Sequence, residues 1–419
     1  MIKAEGIDAL TEVAPGTPMG RLLRQYWTPV IRSAALLADG APERIRLLGE
    51  SWVAFRASDG RVGVLDEACP HRCASLMLAR NEDCALRCVF HGWKISVDGR
   101  VLEIPNERAD RAEALVTRVR VRSLPVREAA GLVWVLPDPA SGARFPDFEF
   151  MRLPAAQIHV RAGRVNCHWL QVVESVLDAA HLGYLHRDTV LRATTAAARA
   201  NALLWIQQSA PELEVEATEY GFREAAIRPM ASGARNIKIR EVVTPWFVFL
   251  PAEAQADRQV IITVPNDATH STQFVVQFNS LRPMTEAEIE ALWAGASPDP
   301  DNFAANMPGP DKTWGQDRGA MQAGHFSGLT NLQVFCEDFA ILESMGAITP
   351  RAKEHLTRSD ASIMFNRQQL LKSLRALATG DPPVGLGPET IDFARIRSLS
   401  CDMEPGVDWR EFDVLASSL

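Results

Sequence analysis

Cys69 and His71 stand as C-x-H and, after sixteen residues, Cys88 and His91 stand as C-x-x-H. Each box pairs one soft thiolate with one imidazole. That donor set suits an iron–sulfur cluster in which two cysteines hold one iron and two histidines hold the other, which raises the reduction potential. A Cys2His2 zinc site is the rival. Zinc fingers more often pair C-x-x-C with H-x3–5-H, so one cysteine and one histidine per box fits zinc poorly. Pro70 stiffens the first loop, and Gly92 frees the backbone beside the second. Cys73 and Cys84 fall inside the same stretch and read as small buried thiols.

A second group lies about 90 residues downstream. Asp178, His181 and His186 form D-x-x-H-x4-H behind a helical apolar pattern at Trp169, Val172, Val173, Val176 and Leu177. Asp178 and His181 are three apart and can share a helix face. His181 and His186 are five apart, about 140° around an ideal helix, so they converge on one ion only if the helix bends or ends between them. Gly183 sits in that interval and permits it. Two histidines with a remote carboxylate and open positions make the facial triad of non-haem Fe(II) oxygenases.

Something must hold these groups in place. From about residue 44 the apolar period is two, through RIRLLG, SWVAFRA and RVGVLDEAC. After the boxes come the hairpin pattern KISV-DG-RVLEI, then LVTRVRVRSLPVRE and GLVWVLPD. This predicts an all-β domain with the boxes on loops at one end. Ahead of it, Met19, Leu22, Leu23 and Tyr26 are spaced for a short helix after a Pro-Gly-Thr-Pro turn. Strand-like runs return between 195 and 280, TEAEIEALWAG reads as a short helix, and SDASIMFNRQQLLKSLRALATG reads as a helix ended by Gly380. The expected domains are 1–30, a segment packing on the catalytic domain; 31–147, the all-β domain; and 148–419, the catalytic domain.

The two motifs together resemble the Rieske non-haem iron ring-hydroxylating oxygenases, alpha subunit. CPH, CVFHGWK, PGTPMG followed by RQYW, and FSGLTNLQVFCEDFAILESMGAITPRAKEHLTRSD are similar to the phthalate-dioxygenase-like branch. The resemblance implies an α+β chain: an N-terminal all-β Rieske [2Fe–2S] domain and a C-terminal helix-grip catalytic domain, a curved antiparallel sheet with helices. It implies Cys69, His71, Cys88 and His91 as cluster ligands. It implies His181, His186 and Asp338 as ligands of a mononuclear non-haem Fe(II), with Glu337, where Gln is common, as the runner-up to Asp338. Asp178 is implied as the bridge between the mononuclear site and the Rieske histidine of a neighbouring subunit. Many relatives carry Asn at the place of Glu174 or Ser175, and this chain does not. Glu343 and Glu354 are expected to cap helices or to pair with Arg351 and Lys353 on the surface.

Such an enzyme uses O2 and two electrons. No G-x-G-x-x-G fingerprint is present, so the electrons are expected from a separate NAD(P)H-dependent reductase of flavin or ferredoxin type. The resemblance implies a homotrimer or hexamer. The expected function is the terminal oxygenase component that hydroxylates or dihydroxylates an aromatic carboxylate, or cleaves an aryl ether. A phthalate-type dicarboxylate dioxygenase is the alternative. Between Ala200 and Phe222 there is no Lys or Arg, and strand alternation sends about half of Arg223, Arg228, Arg235, Lys238 and Arg240 to solvent. That favours a monocarboxylate or an ether over phthalate, with Trp205, Ile206, Phe247 and Phe249 as candidate pocket walls. The other classes are a Rieske electron carrier without oxygenase activity and a zinc-stabilised binding protein.

A formal charge of −8 argues against nucleic acid and anionic membranes, and no apolar run approaches eighteen residues. The acidic N-terminus lacks a signal-peptide pattern, and seven cysteines fit a reducing compartment, so a cytoplasmic location is expected.

Overall fold

Short alternating runs in the first third of the chain build three small antiparallel sheets. In the computed structural model, which describes residues 8–192, 196–251, 258–387 and 391–411, they form one compact unit, Val13–Phe145. Residues up to Glu12 and from Pro146 onward form the other.

In the first unit, Glu43–Leu47, Glu50–Arg56 and Val62–Asp66 pair in sequence order. A four-stranded meander runs Arg80–Glu82, Ala85–Arg87, Lys94–Ser96 and Val101–Glu103. Val53, Phe55 and Leu65 of the first sheet and Leu86 and Ile95 of the meander join one buried apolar cluster with Cys69 and Cys88 of the two boxes. The boundary expected at residue 30 lies instead after Glu12. Thr28–Arg32 pairs along Leu132–Val135, and Arg24 bonds Glu50 at 2.8 Å, which ties the Pro18–Leu23 helix to this unit. The two units meet again between Phe145 and Pro146. A second difference is a helix, Ala109–Arg118, inside the expected all-β domain. The period-two run VTRVRVR begins in its last turn, and its remainder makes only single bridges, such as Arg100 to Arg120.

The second unit is built on an eight-stranded antiparallel sheet. Its strands are β1 (Ile158–Val165), β2 (Glu212–Ala217), β3 (Gly221–Pro229), β4 (Arg235–Val243), β5 (Phe247–Pro251), β6 (Arg258–Pro265), β7 (Ser271–Phe278) and β8 (Leu399–Met403). The order is β1-β7-β6-β5-β4-β3-β2, and β8 takes the stretch of β4 that β5 leaves free. Helices α1 (Trp169–Leu177), α2 (Ala196–Gln207), α3 (Val334–Ser344) and α4 (Ala361–Thr379) carry the rest. α1 packs on β5, β6 and β7, and α4 packs on β2 and β3. α4 ends at Gly380, whose φ of 81° is the left-handed cap that a glycine adopts without strain.

Of the candidate pocket walls, Phe247 and Phe249 are core: both pack on the Phe148 ring, at 5.2 and 5.1 Å between centroids. Trp205 lies under the Lys238 ammonium at 4.2 Å, and Ile206 is half-buried. Alternation divides the five cations of β3 and β4 as expected, but the three turned inward are fully buried rather than lying on a solvated face. Arg228, Lys238 and Arg240 are only 1%, 5% and 5% exposed. Alternation does turn residues inward here, but inward on these strands means toward the carbonyl ends of helices, which can hold a buried guanidinium.

His168 caps the start of α1. Its Nδ1 accepts from Leu170 N, and its Nε2 donates to the Thr11 carbonyl at 2.9 Å, so the buried ring is neutral. Burial, only partly offset by the Thr11 carbonyl, holds its pKa down at about 4. The unfolded chain therefore binds the extra proton between about pH 6.5 and 4, and stability rises with pH across that window. We expect up to roughly 3 kcal/mol, fully present above pH 6.5, to be lost as the pH falls toward 4. A His168→Gln variant should show a flatter urea-midpoint profile over that range; an unchanged slope would reject the assignment. No helix among the described residues is long and apolar enough to cross a membrane.

Candidate metal centres

The two cysteine boxes share one backbone design. Cys69 N bonds the Ala74 carbonyl and Cys73 N bonds the Cys69 carbonyl. Cys88 N bonds the Trp93 carbonyl and Gly92 N bonds the Cys88 carbonyl, all four at 2.8–2.9 Å. Cys73 and Gly92 thus occupy equivalent positions, and both have positive φ, 57° and 76°. This corrects the reading of Cys73 and Cys84 as buried thiols. Cys73 is exposed at a turn position, and Cys84, also at positive φ, is half-exposed. All seven cysteines are free.

The two loops bring their donors together, the cysteines inside and the histidines partly exposed. Cys69 and Cys88 are buried, and burial together with the facing Cys88 thiol pushes Cys69 up to about 11. The Nδ1 atoms of His71 and His91 face each other at 3.1 Å. Two ring lone pairs do not approach so closely unless a proton or a metal ion stands between them, so the donor set fits a cluster held by two sulfurs and two Nδ1 atoms. Trp93 stacks on His71 at 5.1 Å and is itself fixed by an Nε1 bond to Asn106.

The second centre assembles from α1, the turn after it, and α3. α1 ends at Leu177, ahead of His181 rather than between the histidines. Asp178 is its C-cap, with extended φ and ψ of −79° and 117°. His181 opens a 3-10 turn and His186 precedes a short helical turn, Arg187–Val190. The 140° separation therefore never arises. Gly183 serves close packing rather than a kink: a Cβ there would stand 2.5 Å from the Trp205 carbonyl oxygen of α2.

The Nε2 atoms of His181 and His186 are 3.1 Å apart and lie 3.4 and 3.1 Å from Asp338 Oδ1. In the metal-free chain, burial disfavours charge on the rings, yet Asp178 and Asp338 outweigh it and lift His181 to about 9. His186 is lifted as well, and Asp338 is held below the ordinary carboxylate range despite its burial. A trio that retains a proton this strongly is a cradle for a cation, and one carboxylate with two imidazoles suits Fe(II).

Glu337, the runner-up for the third ligand, points elsewhere. Consecutive helical residues are about 100° apart, so both cannot present oxygens to one ion from the same face. Glu337 Oε2 accepts from His186 Nδ1 at 2.6 Å, and its Oε1 accepts from Thr189 Oγ1 at 2.7 Å. Both His186 and Glu337 are buried, at 1% and 0% exposure of their side chains. This fixes the His186 tautomer with Nε2 bare toward the centre. Sequence reasoning had assigned no role to Glu337 beyond replacement of Asp338, and none to Thr189. We expect Glu337→Gln to weaken iron retention by about 10–100-fold, the usual cost of losing such a partner. Chelator titration would measure it, and wild-type retention would count against the assignment.

Ser175 Oγ donates to Asp338 Oδ1 at 3.4 Å. Glu174 is buried between Arg351 and Arg367, each at 2.7 Å, and Glu354 bonds Arg367 at 2.7 Å. Arg351 is therefore not a surface partner as expected; the network ties α1 to α4 through the interior. Glu343 accepts from Asn166 and Trp314. A cavity of about 300 Å3 reaches Asp178, His181 and Asp338, with Ile341, Met345 and Leu356 exposed around it.

Compared with known proteins, residues 26–125 match the family model described as Rieske [2Fe–2S] domain, and residues 136–418 match that described as LigXa C-terminal domain like. The phthalate 4,5-dioxygenase oxygenase subunit of Pseudomonas putida is 33% identical over 98% of this chain and 95% of its own length. The 3-chlorobenzoate-3,4-dioxygenase oxygenase subunit of Comamonas testosteroni is 32% identical over 96% and 95%. The crystal structure of dicamba monooxygenase bound to dicamba superposes with a TM-score of 0.58 at 20% identity, covering 85% of this chain and 99% of that one.

Proposed function

Because this chain belongs to the Rieske non-haem iron oxygenases, as an oxygenase subunit with a Rieske [2Fe–2S] domain, we propose that it is the terminal component that oxidises an aromatic carboxylate. The observation that carries the reading is the convergence of His181, His186 and Asp338 on one point, 3.1–3.4 Å apart. A pure electron carrier has no use for such a point.

Cys69, His71, Cys88 and His91 would hold the cluster; His181, His186 and Asp338 would hold the iron. Bound there, the iron supplies the site at which O2 is activated with electrons delivered through the cluster. The chain's own residues do the remainder. Glu337 keeps His186 Nε2 unprotonated toward the metal, Asp338 supplies the one anionic ligand, and Asp178 sits 3.6 Å from His181 Nδ1, where it can link that ring to a donor outside the subunit.

Apolar side chains support the expected head-to-tail trimer or hexamer. Leu78, Val89 and Phe90 are exposed around the cluster boxes, and Ile341, Met345 and Leu356 around the cavity beside Asp178. A heterologous contact between unlike patches of neighbouring copies closes into a ring when its rotation allows. Two relatives are named as the oxygenase subunits of dioxygenases. For this chain we infer an NAD(P)H-dependent flavin or ferredoxin-type reductase, and a cytoplasmic setting in keeping with the five cysteines outside the cluster boxes' ligands, none of them in a disulfide.

The case against a dicarboxylate rested on the stretch from Ala200 to Phe222 without Lys or Arg and on solvated strand cations, three of which are buried instead. Arg228 and Arg240 are committed to main-chain carbonyls, so we keep aromatic carboxylates as the substrate class. The test is a product assay with a generic reductase, offering phthalate, benzoate, an alkoxybenzoate and a phenoxybenzoate. A dihydrodiol or hydroxylated product from any of the four supports the reading. Release of a phenol from the ether substrates makes ether cleavage the activity. No substrate-dependent O2 consumption with any of them would reject the class.

A further inference from the structure

Strands β3 and β4 pair with Glu224 opposite Arg240 and Arg228 opposite Asn236. These residues share the strand faces turned to the helices, where the Phe222 ring meets Phe365 of α4 at 5.2 Å. On that face two buried guanidinium groups serve main-chain carbonyls. Arg240 Nη1 donates to the Val176 carbonyl at 3.1 Å. Arg228 donates from Nη2 to the Ala179 carbonyl at 2.9 Å and from Nε to the Gln208 carbonyl at 3.1 Å. Val176 and Ala179 bracket Asp178.

The arrangement is costly, because two cations are taken from water. Glu224, fully buried and 3.7 Å from Arg240, compensates in part. Val176 lies in the last turn of α1, where carbonyls lack intrahelical donors and a cation is favoured. A water or a neutral side chain would satisfy a lone carbonyl at less cost. Two rigid forks on adjacent strands do what water cannot: they fix the segment relative to the sheet. The segment needs fixing. Asp178 Oδ1 accepts from Ala180 N at 2.7 Å, while its Oδ2 stands 3.6 Å from His181 Nδ1, just outside hydrogen-bond reach. A shift of a few tenths of an ångström in the main chain decides whether that contact is made.

We propose that Arg228 and Arg240 are positioning residues that clamp the main chain on both sides of Asp178 and so set its carboxylate against His181 for electron transfer to the iron. The inference rests on the reading of Asp178 as the bridge.

The test uses the full chain, loaded with cluster and iron, as Arg240→Gln, Arg228→Gln and the charge-balanced pair Glu224→Gln with Arg240→Gln. Iron and sulfide content, amide exchange over residues 176–181, and the single-turnover rate of oxidation of the pre-reduced cluster, with O2 and whichever of phthalate, benzoate, the alkoxybenzoate and the phenoxybenzoate oxidises the wild-type cluster fastest, are measured together. Expected in all three are retained metals, faster exchange over 176–181, and cluster oxidation slowed tenfold or more. Rates within twofold of wild type at equal iron content would overturn the proposal. So would a rate that falls only in proportion to lost iron, or one restored in the charge-balanced pair, since the hydrogen bond would then be irrelevant. The pair also covers the case in which Arg240→Gln alone fails to fold. A different pattern would strike the underlying reading instead: wild-type protein whose cluster is not oxidised faster with substrate, or an Asp178→Asn variant as fast as wild type.

Discussion

An Asp338→Ala chain is expected to keep the visible absorbance of its [2Fe–2S] cluster and to lose its mononuclear iron and its turnover, the latter by on the order of a thousandfold or more, beyond the 10–100-fold that a supporting partner costs. Asp338 Oδ1 is the oxygen that faces both Nε2 atoms. Without it two neutral imidazoles remain, a set that holds Fe(II) weakly. The cluster loops lie in the Val13–Phe145 unit with their own buried core, so their spectrum should not change. In the metal-free variant the two histidines also lose the neighbour that raises their pKa, so both should titrate lower than in the metal-free parent. Iron stoichiometry by elemental analysis, read against sulfide, decides the matter. Full iron content in Asp338→Ala would remove Asp338 from the ligand set.

Asp178→Asn should behave in the opposite way, with both metals bound and product formation nearly abolished. Asparagine preserves the size of the side chain and can still accept from Ala180 N, now 2.7 Å from Asp178 Oδ1. What it removes is the negative charge beside His181 Nδ1, one of the influences that raises that ring's affinity for a proton. A neutral amide there neither strengthens the ligand nor links it to an outside donor. We expect reduced cluster to persist in the presence of O2 and substrate, seen by stopped-flow absorbance, with a rate loss of at least a hundredfold. Normal turnover would end the bridging role.

Much of this was legible in the sequence, for a chemical reason. That Cys69, His71, Cys88 and His91 come together is legible because they are rare residue types at short spacing, and short spacing survives without knowledge of the fold. His181 and His186 are legible as types, but the route by which they converge is not: the chain ends α1 at Leu177 instead of bending it, and DAAH carries no strong stop signal. The choice between Glu337 and Asp338 depends on the rotation of α3 about its axis, which the packing of Phe339 and Cys336 in the core sets. No local pattern contains that rotation. The buried cations were misread because the rule that charged residues stay at the surface is a statement about averages. Arg228 and Arg240 meet carbonyls at the end of α1 that lie 49 and 64 positions earlier in the chain, and Arg351 meets Glu174 from 177 positions away. The Ala109–Arg118 helix was missed because a strand-like alternation overlaps its last turn.

The catalytic unit is made of two pieces of chain with the cluster unit inserted between them, and this orders events during synthesis. The insert is continuous, so its strands can pair as soon as residue 145 has left the ribosome. The surrounding unit has to wait. The Thr11 carbonyl meets His168 across 157 residues, and β4 remains half-edged until β8 arrives at Leu399–Met403. A nascent chain short of that point presents the unpaired backbone of Arg235–Ile239 to any neighbouring strand, including one from another copy. The cluster unit is thus finished early and the catalytic sheet is closed last. Protease resistance of chains stalled once residue 145 has emerged and shortly before residue 399 would reveal that order: protected over residues 13–145 in both, and protected outside them in neither.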